Sequence, residues 1–218
     1  MSQDLENRDI RQKELVHLEK MQDKEVIVIG VGAVGKQVAM QLAAIGVPNL
    51  KLIDFDDVGV ENLASQGFFE SDIGRPKIDA VSDVCKKINS QINIQTENRK
   101  FNKRMFNSGF VFCCVDKIDV RKNIFESISG YDLFIDARMA AESARILCVY
   151  NSQSAEYYKG QFFAPEEAYA GRCTAQTTIY CANIIAGFMV AQFAKFLRGC
   201  DLDNEIELNL LTNSLIGR

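Results

Sequence analysis

The chain has 218 residues, of which 47% are hydrophobic, so it can bury one core and is predicted to be a single domain over residues 1–218. Its formal net charge is −4, which argues against a basic surface for nucleic acid or anionic lipid. His17 is the sole histidine, which argues against Ser-His-Asp or Cys-His catalysis and excludes a His-rich metal site.

The N-terminus and the cysteines together predict a cytoplasmic protein. Residues 1–9 are polar and lack the apolar core of a signal peptide. No apolar run is expected to reach the roughly 20 residues that span a bilayer, so no membrane partner is predicted. The seven cysteines are odd in number and contain no C-x-x-C pair, which favours reduced thiols and argues against structural zinc.

Strands and helices alternate along the first 135 residues. A charged stretch over about residues 1–23 predicts a helical leader on the surface, before a first apolar strand at 26–29. Further strands are predicted at 50–55, 92–96, 109–115 and 133–135, and helices at 38–45, 77–88 and 118–129. This alternation predicts an α/β fold, a doubly wound, mostly parallel Rossmann-like sheet with helices on both faces.

The last third of the chain predicts an antiparallel extension. Residues 144–151 alternate loosely and indicate an antiparallel strand, and residues 152–172 have a mixed composition without a clear element. A long apolar helix is predicted at 178–197, buried in the core or at a subunit contact. A final edge strand is predicted at 205–211.

A glycine-rich turn follows the first strand. Gly30, Gly32 and Gly35 form G-x-G-x-x-G between a strand and a helix, a pattern that lets backbone approach phosphates at a helix N-terminus. Asp54 and Asp56 end the second strand, where a ribose-binding carboxylate is expected. The alternative for the glycines is that they only form a tight turn and bind no ligand. The alternative for Asp54 and Asp56 is that either one caps the following turn.

The glycine turn alone does not choose between NAD, FAD and ATP. A dehydrogenase would need a proton-transfer residue and a substrate domain, and His17 lies before the fold with no second domain following. An NAD(P)-binding oxidoreductase therefore stays as the weaker alternative.

Further motifs follow the glycine turn at fixed spacing. Five segments occur together in the chain: an Arg-x-x-Arg-Gln leader at 8–12, an acidic segment at 54–58, and the segments 62–66, 74–77 and 114–121. In this combination the chain resembles the ThiF/MoeB/HesA superfamily, which includes the enzymes that adenylate the C-terminus of ubiquitin-like proteins.

This resemblance implies an ATP-dependent adenylyltransferase that activates the C-terminal carboxylate of a small ubiquitin-like protein or peptide, with Mg²⁺ as cofactor. By resemblance, Lys77 touches the phosphates, Asp116 holds Mg²⁺, and Asn62 and Gln66 contact the nucleotide. The alternative for Lys77 is an ordinary lysine at the start of a helix, and the alternative for Asp116 is an aspartate that forms a turn. Because carboxylate and phosphate are both anionic, such a site must neutralise charge and align them.

The resemblance also implies a homodimer. In the family an arginine of the leader serves the neighbouring subunit's site, which makes Arg11, with Arg8, a catalytic candidate. The alternative for both is a solvated charge on the leader. The family pattern N-x-x-R-Q is broken by Ser65, which cannot offer phosphate a cationic fork, and Arg75 is a candidate replacement. A non-catalytic nucleotide-binding subunit that pairs with an active homologue is therefore a further alternative.

A cysteine near the last helix is a candidate second-stage nucleophile. Residues 171–174 resemble the Cys-Thr site of family members that form a thioester, which makes Cys173 the candidate. Arg172 and a following helix N-terminus favour a lowered thiol pKa there, and the alternative is a small buried residue. The cysteines predicted to lie in the core are Cys85, Cys113, Cys114 and Cys181.

Overall fold

The computed structural model describes residues 8–162 and 177–218, which form one eight-stranded sheet with flanking helices. The strands are β1 (Glu25–Ile29), β2 (Asn49–Asp54), β3 (Asn93–Asn98), β4 (Gly109–Cys113), β5 (Tyr131–Ala140), β6 (Ser143–Val149), β7 (Glu205–Asn209) and β8 (Ser214–Gly217). The α-helices are α1 (Ala33–Ile45), α2 (Asn62–Gln66), α3 (Lys77–Ile88), α4 (Ile118–Ser127), α5 (Ser152–Lys159) and α6 (Ile179–Arg198). Short 3-10 helices occupy Leu18–Met21, Glu70–Asp72 and Lys103–Met105.

The sheet has the strand order β3-β2-β1-β4-β5-β6-β7-β8. Strands β1 to β5 run parallel, and β6, β7 and β8 add antiparallel pairs. The predicted doubly wound sheet with an antiparallel C-terminal extension is thereby confirmed. Strand order reverses between β1 and β4, and in such folds ligands bind outside the carboxyl ends of the strands at this reversal.

Two hydrophobic cores lie on the two faces of the sheet. Helices α1, α3 and α6 pack on the face that carries Val28 and Phe110. Helices α4 and α5 cover the opposite face, which carries Ile27 and Phe134. Phe193 of α6 meets Phe110 edge to face, with ring centroids 5.0 Å apart. Each such fully buried side chain contributes about 1.5–3 kcal/mol to stability.

Helix α6 corrects one expectation from the sequence. It has 20 residues and a mean hydropathy of 1.4 over its most apolar window, so by length and composition alone it is long enough to cross a membrane. Its buried residues, including Ile185, Met189 and Phe193, pack against the sheet. A helix that forms part of a protein core passes the same test, so the composition of α6 is explained by this packing.

The ends of the chain also differ from the prediction. Residues 8–15 form successive turns and Leu18–Met21 a 3-10 helix, so the described part of the leader is not a regular α-helix. The Arg8 guanidinium instead donates to the carbonyl oxygens of Ala43 and Ala44, at 3.3 Å each, which ties the leader to the end of α1. Strand β8 pairs outside β7, so β7 is not the edge strand.

Candidate nucleotide site

The glycine turn between β1 and α1 is built so that only glycine fits at two positions. Gly30 has φ +84° and donates its N–H to the Ile53 carbonyl at 2.8 Å. A Cβ on Gly30 would lie 2.9 Å from the Cys114 carbonyl oxygen, and one on Gly35 would lie 1.8 Å from the Gly30 carbonyl oxygen. Gly32, before the first residue of α1, provides no side-chain cap. The first amides of α1 are therefore available to an anion.

Asp54 at the end of β2 holds this turn in place. Its Oδ2 accepts from the Val31 N–H at 2.7 Å, and its Oδ1 accepts from the N–H groups of Phe55 at 2.7 Å and Asp56 at 3.0 Å. The alternative that Asp54 caps the turn is therefore observed. Each carboxylate oxygen has two lone pairs, so Oδ2 keeps one for a ligand hydroxyl and the ribose assignment stays a prediction.

Lys77 and Asp56 come together at the same edge of the sheet. The Lys77 ammonium donates to Asp56 Oδ2 at 3.1 Å, and the backbone N–H of Lys77 donates to the Asp56 carbonyl at 2.9 Å. Lys77 is 6% exposed, whereas the Asp56 side chain is about half exposed. The first residue of α3 therefore presents a largely desolvated ammonium beside the carboxyl end of β2.

Helix α2 lies over the start of α1 and brings Gln66 to the glycine turn. A Cβ on Gly32 would meet Gln66 Oε1 at 3.5 Å, which is ordinary van der Waals contact, so the Gln66 amide lies directly against the glycine turn. Gln66 Oε1 is buried and has no hydrogen-bond partner among the described residues. Asn62 is 8% exposed, and its Oδ1 accepts from the Gly59 N–H at 2.9 Å. A buried amide oxygen without a partner among the described residues, next to the glycine turn, fits a polar ligand there.

Asp116 lies beyond β4, whose end contacts the glycine turn through Cys114 and Gly30. Its carboxylate is exposed and makes no hydrogen bond or ion pair with the residues that the structure describes. Within residues 8–162 and 177–218, no three His, Cys, Asp or Glu side chains form a metal cluster. One free carboxylate fits Mg²⁺, which keeps several waters and binds through one or two carboxylates and substrate phosphates.

A model of the ThiF family matches residues 4–217. The chain belongs to the ThiF family. The resemblance carried by the spaced sequence motifs is thereby confirmed.

Curated relatives are similar over part of their length. Molybdopterin-synthase adenylyltransferase of Haemophilus influenzae is 30% identical over 112 residues, which cover 49% of this chain and 46% of that protein. Ubiquitin-like modifier-activating enzyme 5 of Drosophila ananassae is 28% identical over 215 residues, which cover 82% of this chain and 52% of that protein. This ThiF-family chain thus spans about half the length of the curated relatives it matches.

Solved structures share the fold. The crystal structure of PaaA superposes with a TM-score of 0.77 at 20% identity, over 100% of this chain and 74% of that one. Escherichia coli MccB, crystallised with AMPCPP and MccA, superposes with a TM-score of 0.69 at 19% identity, over 92% of this chain and 65% of that one. These likenesses support the same Rossmann-like architecture.

Neither Ser65 nor Arg75 presents a free cation to the site of this ThiF-family chain. The Ser65 hydroxyl donates to the Glu61 carbonyl one turn earlier, at 3.0 Å. Arg75 pairs with Asp72 at 3.1 Å and with Asp83 at 2.6 Å, and the hydrogen bond that Arg75 donates to Asp83 is the main cause that raises the Arg75 pKa. The prediction that Arg75 replaces the family arginine is therefore not supported, because its charge is matched elsewhere.

Lys36 is a cation near the site that the sequence analysis missed. It is 3% exposed, donates to the Gly67 carbonyl and lies 4.4 Å from the centroid of the Phe68 ring. Desolvation by burial lowers the pKa of its ammonium. The feature of the sequence that could have indicated Lys36 is its position directly after Gly35, one helical turn beyond Gly32.

The leader arginines lie far from the glycine turn of their own chain. Arg8 binds carbonyls at the C-terminal end of α1, while the turn lies at the N-terminal end of this 13-residue helix. At 1.5 Å per residue the two ends are about 18 Å apart. Arg11 is exposed and belongs to the same series of turns as Arg8. The structure therefore places Lys77, Asp116 and the glycines at the carboxyl ends of the neighbouring strands β2, β4 and β1, and leaves Arg11 at the other end of α1.

Five of the six cysteines among the described residues lie in or against the core, and Cys200 is exposed. Cys85, Cys113 and Cys181 are buried, as predicted, while Cys114 is partly buried and packs against the core. Burial raises the pKa of Cys85 and of Cys113 to about 12, which disfavours their thiolates. Cys173 lies outside the described residues.

Proposed function

We propose that this ThiF-family domain binds Mg·ATP and transfers AMP to the C-terminal carboxylate of a small ubiquitin-like protein or peptide. The observation that carries the proposal is that the glycine turn, the Lys77 ammonium and the exposed Asp116 carboxylate all lie at the carboxyl ends of the adjacent strands β1, β2 and β4, where the strand order reverses. The names of the relatives, and MccB crystallised with an ATP analogue and MccA, support this class of reaction.

The chemistry follows from the charges on the chain. An oxygen of the substrate carboxylate attacks the α-phosphorus, and the bond to the β-phosphate oxygen breaks to release pyrophosphate. The Lys77 ammonium, desolvated and held beside Asp56, is placed to offset phosphate charge, which reduces repulsion between the two anions. Asp116 would hold Mg²⁺, which supplies further charge neutralisation. Asp54 keeps the turn closed while its remaining lone pair accepts from the ribose.

The first test is calorimetric titration of Mg·ATP and of NAD into the wild type and Lys77→Ala, with Lys86→Ala as the control. Lys86 is an exposed lysine on the same helix. A charge-assisted hydrogen bond contributes about 1.5–3 kcal/mol, so ATP affinity should fall roughly ten- to hundredfold in Lys77→Ala alone. Binding of NAD without ATP would support the oxidoreductase alternative and exclude adenylation.

A second candidate function is a nucleotide-binding subunit without catalysis. The Ser65 hydroxyl, which is bonded to the Glu61 carbonyl, and the paired Arg75 favour it, because neither delivers an arginine charge to phosphate. Measurement of the exchange between ATP and labelled pyrophosphate that depends on an added ubiquitin-like protein separates the two. Exchange above the protein-free background supports the enzyme, and tight ATP binding without exchange supports the subunit.

We also propose a homodimer in which Arg11 serves the partner's site. The distance of the leader from its own turn, and the exposed Tyr180 and Ile184 on one face of α6, support this arrangement. A mixture of Arg11→Ala and Lys77→Ala subunits would then contain heterodimers with one intact site. Recovery of ATP affinity in the mixture is expected, and failure to recover despite a dimeric mass in sedimentation would exclude action in trans.

Cys173 and the compartment remain proposals of the same kind. If Cys173 receives the activated carboxylate, Cys173→Ala should keep pyrophosphate exchange and lose a thiol-sensitive conjugate on denaturing gels. A conjugate that persists would place the acceptor elsewhere.

We expect the protein to act in the cytoplasm, since all six cysteines in the described residues are free thiols.

A further inference from the structure

We propose that Lys36 is a phosphate-binding cation of the nucleotide site, directed at the β- or γ-phosphate of ATP. The inference rests on the proposed function and adds to it a residue that no sequence motif had indicated. Its basis is a buried ammonium without a carboxylate partner, at the corner where α1, α2 and the glycine turn meet.

The charge of Lys36 is not matched within the described part of the chain. Its ammonium donates to the neutral Gly67 carbonyl, and no carboxylate of a described residue lies within ion-pair distance. Asp72 attracts it only from farther away, and the Asp72 oxygens are occupied by Arg75 and by the Phe69 N–H, at 3.1 Å each. A buried cation without an anionic partner is costly, so an anion from outside the chain would stabilise it.

The position of Lys36 along α1 directs this charge toward the glycine turn. Lys36 lies one helical turn after Gly32, and its N–H donates to the Gly32 carbonyl at 3.0 Å. Helical side chains lean toward the N-terminus, which brings the ammonium toward the first turn of α1. Its acceptor, Gly67, directly follows Gln66, whose amide lies against Gly32 of the glycine turn.

The competing explanation is that Lys36 only caps α2. A lysine near the last turn of a helix satisfies free carbonyls, and Gly67 is the residue that ends α2. Capping alone does not require burial under an aromatic ring, because an exposed lysine makes the same bond. The two explanations differ in outcome: a cap affects stability, whereas a phosphate ligand changes ATP affinity without changing AMP affinity.

The experiment compares Mg·ATP and AMP binding by calorimetry in the wild type, Lys36→Met, Lys36→Arg and the control Lys86→Met. We expect Lys36→Met to lower the affinity for ATP roughly ten- to hundredfold and the affinity for AMP less than about twofold. The affinities of Lys36→Arg should be close to those of the wild type. Equal weakening of ATP and AMP, or no change in either, would overturn the proposal. If the wild type binds ATP and Lys36→Met binds it equally well, only the role of Lys36 is rejected. If the wild type binds no ATP, the proposed function is rejected as well.

A rescue variant tests the role independently of the cap. Ser65→Arg in the Lys36→Met background introduces a new cation on the neighbouring helix α2, so ATP affinity should return to within about threefold of the wild type. Absence of rescue in a variant with native thermal unfolding would count against a phosphate role. Should Lys36→Met not fold, acetylation of Lys36 in the wild type, followed by mass spectrometry, should be slowed by Mg·ATP and not by AMP. Equal protection by both nucleotides would contradict the assignment.

Discussion

Two polar clusters of this molecule contrast in how completely their charges are matched. At the candidate nucleotide site, Asp116 has no partner among the described residues, and Lys36 has the Gly67 carbonyl and the Phe68 ring but no carboxylate within ion-pair distance. Beneath α4 and α5, Asp136 is fully buried and accepts from three side chains. Those donors are Arg121, Arg138 at 3.0 Å and the Tyr158 hydroxyl at 3.0 Å, and with Asp136 they form the Asp136 network.

The difference separates charges that hold the fold from charges left for a ligand. Every oxygen of Asp136 is occupied, and of the network's polar atoms only Arg138 Nη2 is buried without a partner among the described residues. The two clusters also meet, because Arg121 donates to the carbonyl of Val115, directly before Asp116. The matched cluster therefore positions the loop that carries the unmatched carboxylate.

The strongest test of this contrast is Asp136→Ala. Removal of the carboxylate leaves two buried guanidinium groups without their anion, and breaking such a pair costs about 3–5 kcal/mol. We expect this loss in the free energy of unfolding by urea, with the Asp116 loop loosened as well. Asp119→Ala, at an exposed position on α4, is the matched control and should change stability by less than about 0.5 kcal/mol. A loss below 1 kcal/mol in Asp136→Ala would show that the network does not hold the fold.

A second test compares two glycines inside helices. Gly35→Ala forces a Cβ to 1.8 Å from the Gly30 carbonyl oxygen, so the turn must open, at a cost of about 1–3 kcal/mol or more, and ATP binding should be lost. Gly187→Ala meets nothing closer than 3.8 Å and should stabilise α6 by about 0.5–1 kcal/mol. Thermal unfolding and ATP titration of both variants are the measurements. Wild-type ATP affinity in Gly35→Ala would show that close packing at the turn is not needed.

The parts of the fold that the sequence predicted carry strong local signals. Helix α3 begins at Lys77 and ends at Ile88 as predicted, because Gly74 and Pro76 mark its start and its apolar positions recur at helical spacing. Helix α5 was missed, since its buried residues are only Ser154 and Tyr158. Strand β8 is wholly exposed and leaves no apolar pattern to find.

The site was predictable where a residue's role follows from its neighbours in the chain. Asp54 and Lys77 stand at a strand end and a helix start, positions that the local pattern defines. The state of Lys36 depends on Gly67, 31 residues away. The state of Arg75 depends on helix α3, which brings Asp83 within 2.6 Å of its guanidinium. A basic residue near the motifs therefore could not be assigned from sequence to the ligand or to an internal pair.

A third, smaller effect is expected from Asp116→Asn. Because the Asp116 carboxylate is exposed and unbonded to described residues, the free energy of unfolding should change by less than about 0.5 kcal/mol. ATP affinity in Mg²⁺ should fall roughly tenfold, toward the value measured with a chelator, since the charge that holds the ion is gone. Titrations with and without Mg²⁺ in both proteins measure this. A variant that keeps the full Mg²⁺ dependence would place the ion on another ligand.

The smallest expected effect concerns a second matched carboxylate, Glu205 on β7. Burial raises its pKa, but hydrogen bonds from Arg145 and the Tyr157 hydroxyl outweigh burial, so the net shift is downward. A lowered folded pKa gives stability that is present above the unfolded value of about 4.3 and is lost as pH falls through the folded value. Glu205→Gln should therefore flatten the loss of stability below pH 4.3 in acid unfolding, whereas Glu207→Gln, a partly exposed neighbour, should not. If Glu205→Gln loses stability below pH 4.3 as the wild type does, the neutral side chain satisfies the two hydrogen bonds equally well. Glu205 would then stabilise the antiparallel extension by hydrogen bonding rather than by its charge.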